Sequence, residues 1–260
     1  MTTVLKLGGE LLEDGPAMQS AAAAIVRLAA GGPLVVVHGG GRAIDAELRA
    51  RGEEPRFVDG LRVTDAAALD AVICVLAGRT NTALVAAIGA AGARAVGLTG
   101  ADAQIGRSAR TGVLTAVSGE QVDLGLVGQP DKDTDVSLLH QLLDLGYVPV
   151  IASVGVDAAG SLLNVNADTL AGHLAAALGA GRLIVAGATA GVLDERGQLI
   201  AGLTPRAIDA MTASGAAHSG MIAKLAACRR ALDAGVNDIA IVAGRGVSDF
   251  AAATGTQVRA

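Results

Sequence analysis

The sequence predicts an α/β fold, a three-layer αβα sandwich around a mostly parallel central sheet with β-hairpins attached. Three observations predict it. The apolar runs at 4–7 and 34–37 are continuous rather than alternating, so both faces of those strands are buried, as in a parallel sheet under helices. Each run ends in glycine, Gly8-Gly9 after the first and Gly39-Gly40-Gly41 after the second. A stretch of helical length then separates each run from the next.

Taken in order, the strand at 4–7 leads to a helix near 16–30, and the strand at 34–37 to a helix over about 42–51. A long helix over about 65–89, capped by Thr64, precedes a strand at 93–98. Between 105 and 128, short alternating segments broken by glycine predict β-hairpins. A helix near 133–145 runs into a strand at 148–152, and 157–160 forms a hairpin turn before Leu162. The second half repeats the unit: helix 167–178, strand 183–186, helices 205–214 and 221–234, strand 239–242.

Composition narrows the function. The hydrophobic fraction of 52% raises the question of a membrane, but much of it is alanine and the apolar runs are short. The longest, 170–193, is interrupted by His173, Arg182 and glycines, and reads as helix, turn and strand rather than as a span of some ~20 apolar residues. With a strand already at Thr3, no signal peptide is expected, and the protein is expected to be cytoplasmic. A net charge of −5 with 1% aromatic residues supplies neither the basic face nor the stacking platforms that nucleic acids need. Cys74 and Cys228 lie in apolar helical patterns and read as buried thiols; no residue is assigned to a metal. There are three lysines, Lys6, Lys132 and Lys224, and the other cations are arginines. Such economy suits a chain that keeps Lys where a compact ammonium is needed.

Lys6 interrupts an apolar strand just before the Gly8-Gly9 turn. At that end of an α/β strand, exposed N–H groups and an ammonium suit phosphate oxygens; the alternative is an edge lysine reaching water. His38-Gly39-Gly40-Gly41 repeats the arrangement, its glycines allowing close backbone approach ahead of a helix N-terminus. It is neither a dinucleotide fingerprint nor a Walker A sequence, and His38 reads as a satisfied strand-end histidine. Arg62, in Gly60-Leu61-Arg62-Val63-Thr64, suits a carboxylate through its fork, or is a surface arginine. In Asn164-Val165-Asn166-Ala167-Asp168, Asn166 caps a helix and leaves Asn164 and Asp168 to face a site. In Ser219-Gly220-Met221-Ile222-Ala223-Lys224, a lysine in the first turn of a helix opposes the dipole unless an anion compensates.

These motifs, in this order, resemble the amino acid kinase superfamily, and within it the acetylglutamate kinases. Residues 77–84, 122–130 and 146–151 are similar to the family too, so the likeness covers essentially the whole chain. The resemblance implies an N-terminal lobe, 1–152, for N-acetyl-L-glutamate and dimerisation, and a C-terminal lobe, 153–260, for ATP, on one continuous sheet. It implies that Gly40, Gly41, Arg62 and Asn164 bind the substrate, and that Lys6 and Lys224 stabilise the migrating phosphoryl group under the control of Asp168. Gly8, Gly9, Thr189, Gly191, Gly220 and Met221 would meet the nucleotide, with Mg²⁺ held mainly by its phosphates. Where the family has Ser-Asp-Val, this chain has Gly187-Ala188-Thr189, so a carboxylate expected near the nucleotide is missing. With strand one opening the chain, without the extra N-terminal helix of arginine-inhibited relatives, the expectation is a homodimer without strong arginine inhibition. Two alternatives stay open: a superfamily kinase acting on another carboxylate or phosphate, and a non-catalytic ligand-binding pseudokinase.

Overall fold

The computed structural model describes residues 1–116, 119–194, 196–214 and 219–259. The strands are β1 (Thr3–Leu7), β2 (Leu34–His38), β3 (Phe57–Val58), β4 (Leu61–Arg62), β5 (Ala95–Thr99), β6 (Ser108–Arg110), β7 (Val113–Thr115) and β8 (Gln121–Asp123). They continue with β9 (Val127–Pro130), β10 (Val148–Ala152), β11 (Val154–Val156), β12 (Leu162–Val165), β13 (Arg182–Gly187), β14 (Gly202–Leu203), β15 (Asp238–Ala243) and β16 (Gly255–Val258). The helices are α1 (Gly15–Ala29), α2 (Gly41–Ala50), α3 (Ala66–Ile73), α4 (Asn81–Ala90), α5 (Ser137–Asp144), α6 (Ala167–Ala177), α7 (Pro205–Ser214) and α8 (Ser219–Asp233).

The central sheet has eight strands in the order β14-β16-β15-β13-β1-β2-β10-β5, so one sheet runs through both halves of the chain. Its pairings are parallel except β15 with β16. β1 and β2 are buried along nearly their whole length, which is why their sequences do not alternate. One face of the sheet packs its core against α5, α6 and α8, the other against α1 and α4. Residues of β1 divide between the two faces: Val4 belongs to the first core, Leu5 and Leu7 to the second. Each such fully buried leucine is worth roughly 1.5–3 kcal/mol relative to exposure.

The predicted hairpins exist: β7 pairs antiparallel with β8, β6 with β9, and β11 with β12. Two features differ from expectation. The helix after β4 is capped by Asp65, whose Oδ1 accepts from Ala68 N–H at 2.8 Å, while the Thr64 hydroxyl is buried and donates to the Arg62 carbonyl. Asp65 lies one residue nearer the helix, where its carboxylate reaches the free N–H groups directly. That helix also winds through a π-helical stretch, Cys74–Thr80, between α3 and α4. In this stretch Val75 and Leu76 face the core and Cys74 is exposed, so of the two thiols only Cys228 is buried. Residues Ala66–Ala90 are long and apolar enough to cross a membrane by length and composition, yet Val72, Leu76, Leu84 and Ile88 are buried inside this fold.

Candidate active site

The register of the sheet aligns the ends of its three middle strands. Lys6 lies between Val37 of β2 and Val185 of β13, and Leu7 between His38 and Ala186. The next residues, Gly8, Gly39 and Gly187, therefore form one row at the C-terminal edge. Gly8 N–H donates to the Ala186 carbonyl at 2.9 Å, and Gly187 accepts from Gly244 N–H at 2.8 Å. In an open α/β sheet this edge is where ligands bind.

Steric demand explains the glycines. A Cβ on Gly9 would lie 2.5 Å from the Gly40 Cα, and one on Gly40 would lie 2.8 Å from Leu76 Cδ2, so the two loops touch backbone to backbone. Gly41 has open space where its Cβ would be. Above these loops is a cavity of about 230 Å³, whose walls include Lys6, Gly9, Gly40, Arg62, Asn164 and Asp168. A hollow of about 480 Å³ near Pro33 and Tyr147 is larger, but its one cation, Arg94, is engaged with the Tyr147 ring and the Leu145 carbonyl.

Lys6 and Asp168 are both buried, and Lys6 Nζ stands 3.0 Å from Asp168 Oδ1. Lys224, from the first turns of α8, brings its Nζ to 3.8 Å from Asp168 Oδ2. One carboxylate on α6 thus holds two ammonium groups from β1 and α8. Asp168 Oδ1 has no aligned hydrogen-bond donor, so the contact to Lys6 is an ion pair without that alignment. Asn166 caps α6, accepting from Thr169 N–H at 3.0 Å, which fixes Asp168 two residues on.

Arg62 is buried, its Nη2 donating to Asp45 Oδ1 at 2.5 Å and to the Gly41 carbonyl at 3.2 Å. Phe57 lies with its ring centroid 4.6 Å from the guanidinium carbon. Arg62 Nη1 is buried with no hydrogen-bond partner. A buried guanidinium with one arm fixed and the other unmatched has the donors to pair with a carboxylate. Asn164 Nδ2 donates to Thr64 Oγ1 at 3.0 Å, linking β12 to the same corner. His38 is fully buried between Asn81 Nδ2, 3.0 Å from its Nε2, and the Gly39 carbonyl, 3.3 Å from its Nδ1. Burial pushes its pKa down to about 4, so it is neutral and satisfied, as expected.

The remaining candidates lie apart from the cavity wall. Gly8 sits in the strand-end row; Thr189 and Gly220 are exposed, and Met221 is half-buried at the start of α8. Gly191 has φ +146°, and its Cβ would lie 2.6 Å from Thr256 Oγ1, so its glycine serves the packing of β16. Sequence reasoning missed Glu10, Asp45 and Phe57. The signal for Asp45 was its place one helical turn after Gly41, and for Phe57 its place opposite Arg62 in the β3–β4 hairpin; Glu10 meets a partner that only the fold brings near. Among the described residues no cluster of three or more His, Cys, Asp or Glu is arranged to hold a metal.

Comparison with known proteins matches the chain over nearly its whole length. Residues 1–243 match the amino acid kinase family. An acetylglutamate kinase of Novosphingobium aromaticivorans is 42% identical over 94% of this chain and 84% of its own. A solved structure from Streptococcus mutans superposes with a TM-score of 0.83 at 25% identity, covering 99% of this chain and 98% of that one. The N-acetylglutamate synthase of Neisseria gonorrhoeae, solved with coenzyme A and N-acetyl-glutamate, shares the fold with a TM-score of 0.85 at 24% identity, over 100% of this chain and 59% of that one.

Proposed function

The chain belongs to the amino acid kinase family, with the acetylglutamate kinases as its relatives, and from that premise we infer that it uses ATP to phosphorylate the side-chain carboxylate of N-acetyl-L-glutamate. The products are ADP and an acyl phosphate, a step of arginine biosynthesis. The observation that carries the reading is the pair of ammonium groups on Asp168, whose carboxylate lines one cavity together with Lys6 and Arg62.

The chemistry needs little beyond charge and position. A glutamate side chain has a pKa near ~4.3, so the acceptor is ionised at pH 7 and needs no general base. The obstacle is bringing one anion against another. Lys6 and Lys224 neutralise the transferring phosphoryl group, and Asp168 holds both ammonium groups in place. Arg62, braced by Asp45, binds a carboxylate of the acceptor, with Asn164 and the backbone of Gly40 and Gly41 completing its site. Gly8, Gly9, Thr189, Gly191, Gly220 and Met221 form the nucleotide side. The scarcity of carboxylates suits Mg²⁺ arriving on the phosphates, where it supplies charge neutralisation with few protein ligands. Residues 1–152 then form the acceptor lobe and 153–260 the nucleotide lobe of a cytoplasmic homodimer.

Coupled measurement of ADP release across a panel of carboxylates tests the reading. N-acetyl-L-glutamate is expected to give the highest kcat/KM, and no preference for it would overturn the substrate assignment.

A further inference from the structure

One carboxylate in the cavity wall has no task in that account. Glu10 follows the glycine pair of β1, and its Oε1 accepts from the Ala188 N–H at 2.8 Å, joining the end of β1 to the end of β13. It lies low between the two strands: a Cβ on Gly8 would be 2.4 Å from it and one on Gly187 3.3 Å, the latter point being 3.6 Å from Lys224 Cε. The carboxylate therefore rests among the strand-end glycines, beside the arm of Lys224, in the cavity that contains Lys6 and Asp168. Among the described residues no ammonium or guanidinium lies within 4.0 Å of it.

A carboxylate is a poor neighbour for a triphosphate. Backbone N–H groups and lysines at a strand edge favour phosphate, whereas an unpaired carboxylate among them repels it. The arrangement is compatible with nucleotide when a cation lies between the two anions. Magnesium is commonly held by one or two carboxylates together with substrate phosphates. The other carboxylate of the cavity wall, Asp168, is committed to the two lysines. Glu10 also reaches the backbone of Gly187-Ala188-Thr189, the segment without an acidic side chain of its own.

We propose that Glu10 is the protein's ligand, directly or through a metal-bound water, for the divalent cation that accompanies the nucleotide. This rests on the kinase reading above, but its test needs no acceptor. Nucleotide binding is measured by calorimetry on the full chain, with ATP in excess Mg²⁺ and with ATP in EDTA, for the wild type and for Glu10→Gln. Glutamine keeps an oxygen for the Ala188 N–H and removes the charge. The expected result is an affinity for MgATP lower by about 10- to 100-fold, the usual cost of damaging a metal's surroundings. The affinity for metal-free ATP is expected to stay the same or rise, because the repulsion has gone. Adding Ala188→Asp to Glu10→Gln is expected to restore a large part of the Mg²⁺ dependence. An equal loss with and without Mg²⁺ would overturn the proposal in favour of a contact that only holds the Ala188 loop. A gain in both conditions would overturn it in favour of a carboxylate that blocks the phosphate site. Failure to phosphorylate N-acetyl-L-glutamate would count against the substrate reading alone.

Discussion

The two sides of the cavity are built differently. On the side of β2, β4 and β12, Arg62, Asp45, Thr64 and Asn164 form a hydrogen-bonded network, with Arg62 and Thr64 buried. On the side of β13 and α8, Ala188, Thr189 and Gly220 are exposed among the described residues, and Lys224 and Glu10 supply charge. The first side is paired in advance and presents one unmatched donor; the second is a shelf. A small acceptor that must be told apart from its analogues calls for fixed, desolvated partners. A nucleotide's phosphates are met adequately by N–H groups and a few charges.

Asp168 joins the two sides, so its loss is expected to be the most damaging. Asp168→Ala leaves Lys6 buried without its partner, and should lower stability by about 3–5 kcal/mol, read from denaturant midpoints, besides abolishing measurable turnover. The lysines separate the two sides. Each alanine variant should lower kcat by about 10²–10³, as for removal of a transition-state charge partner. Lys6→Ala, on the buried side, should also destabilise the fold, leaving Asp168 short of its nearer cation; Lys224→Ala, at a less buried side chain 3.8 Å from Asp168, should destabilise it less. Equal stability losses would break the comparison.

His38 gives the β2 side of the cavity a pH dependence of its own. Its folded pKa of about 4 lies below the unfolded value of about 6.5, so the unfolded chain takes up the proton first as pH falls. The resulting stability is complete above pH 6.5 and is lost progressively towards pH 4, up to about 3 kcal/mol from this group. Equilibrium unfolding of His38→Gln between pH 7 and 4 should show a shallower slope than the wild type. The smallest effect expected is at Arg62. Arg62→Ala should raise the KM for N-acetyl-L-glutamate by about 10- to 100-fold through one lost charged hydrogen-bond set, leaving the KM for ATP unchanged. A shift in both constants would show that the two sides are less separate than their construction suggests.

Much of this was legible in the chain. Continuous apolar strands and glycine punctuation located most of the strands of the central sheet, because two-sided burial leaves a local signature. Its short outer strands β14 and β16 carried none. Lys6, Arg62, Asn164 and Asp168 were visible because each interrupts or follows an apolar element. What was illegible depended on distance in sequence: Glu10 meets Ala188 across 178 positions, and Arg62 finds Asp45 across 17. Cys74 was legible but misread: it follows Asp70 by one helical turn and so shares the exposed face of that helix, its Sγ 3.9 Å from Asp70 Oδ2.

The contact between Gly9 and Gly40 has a consequence for anyone reshaping this cavity. A methyl group on Gly9 would run into the Gly40 backbone and move a whole strand end, whereas one on Gly40 meets the buried Leu76 side chain, which must shift to admit it. Gly41 borders the same space and is unobstructed, so it is the position from which a side chain can be grown to narrow the cavity for a shorter acceptor. Adjacent glycines in one motif thus divide into fixed foundation and adjustable wall.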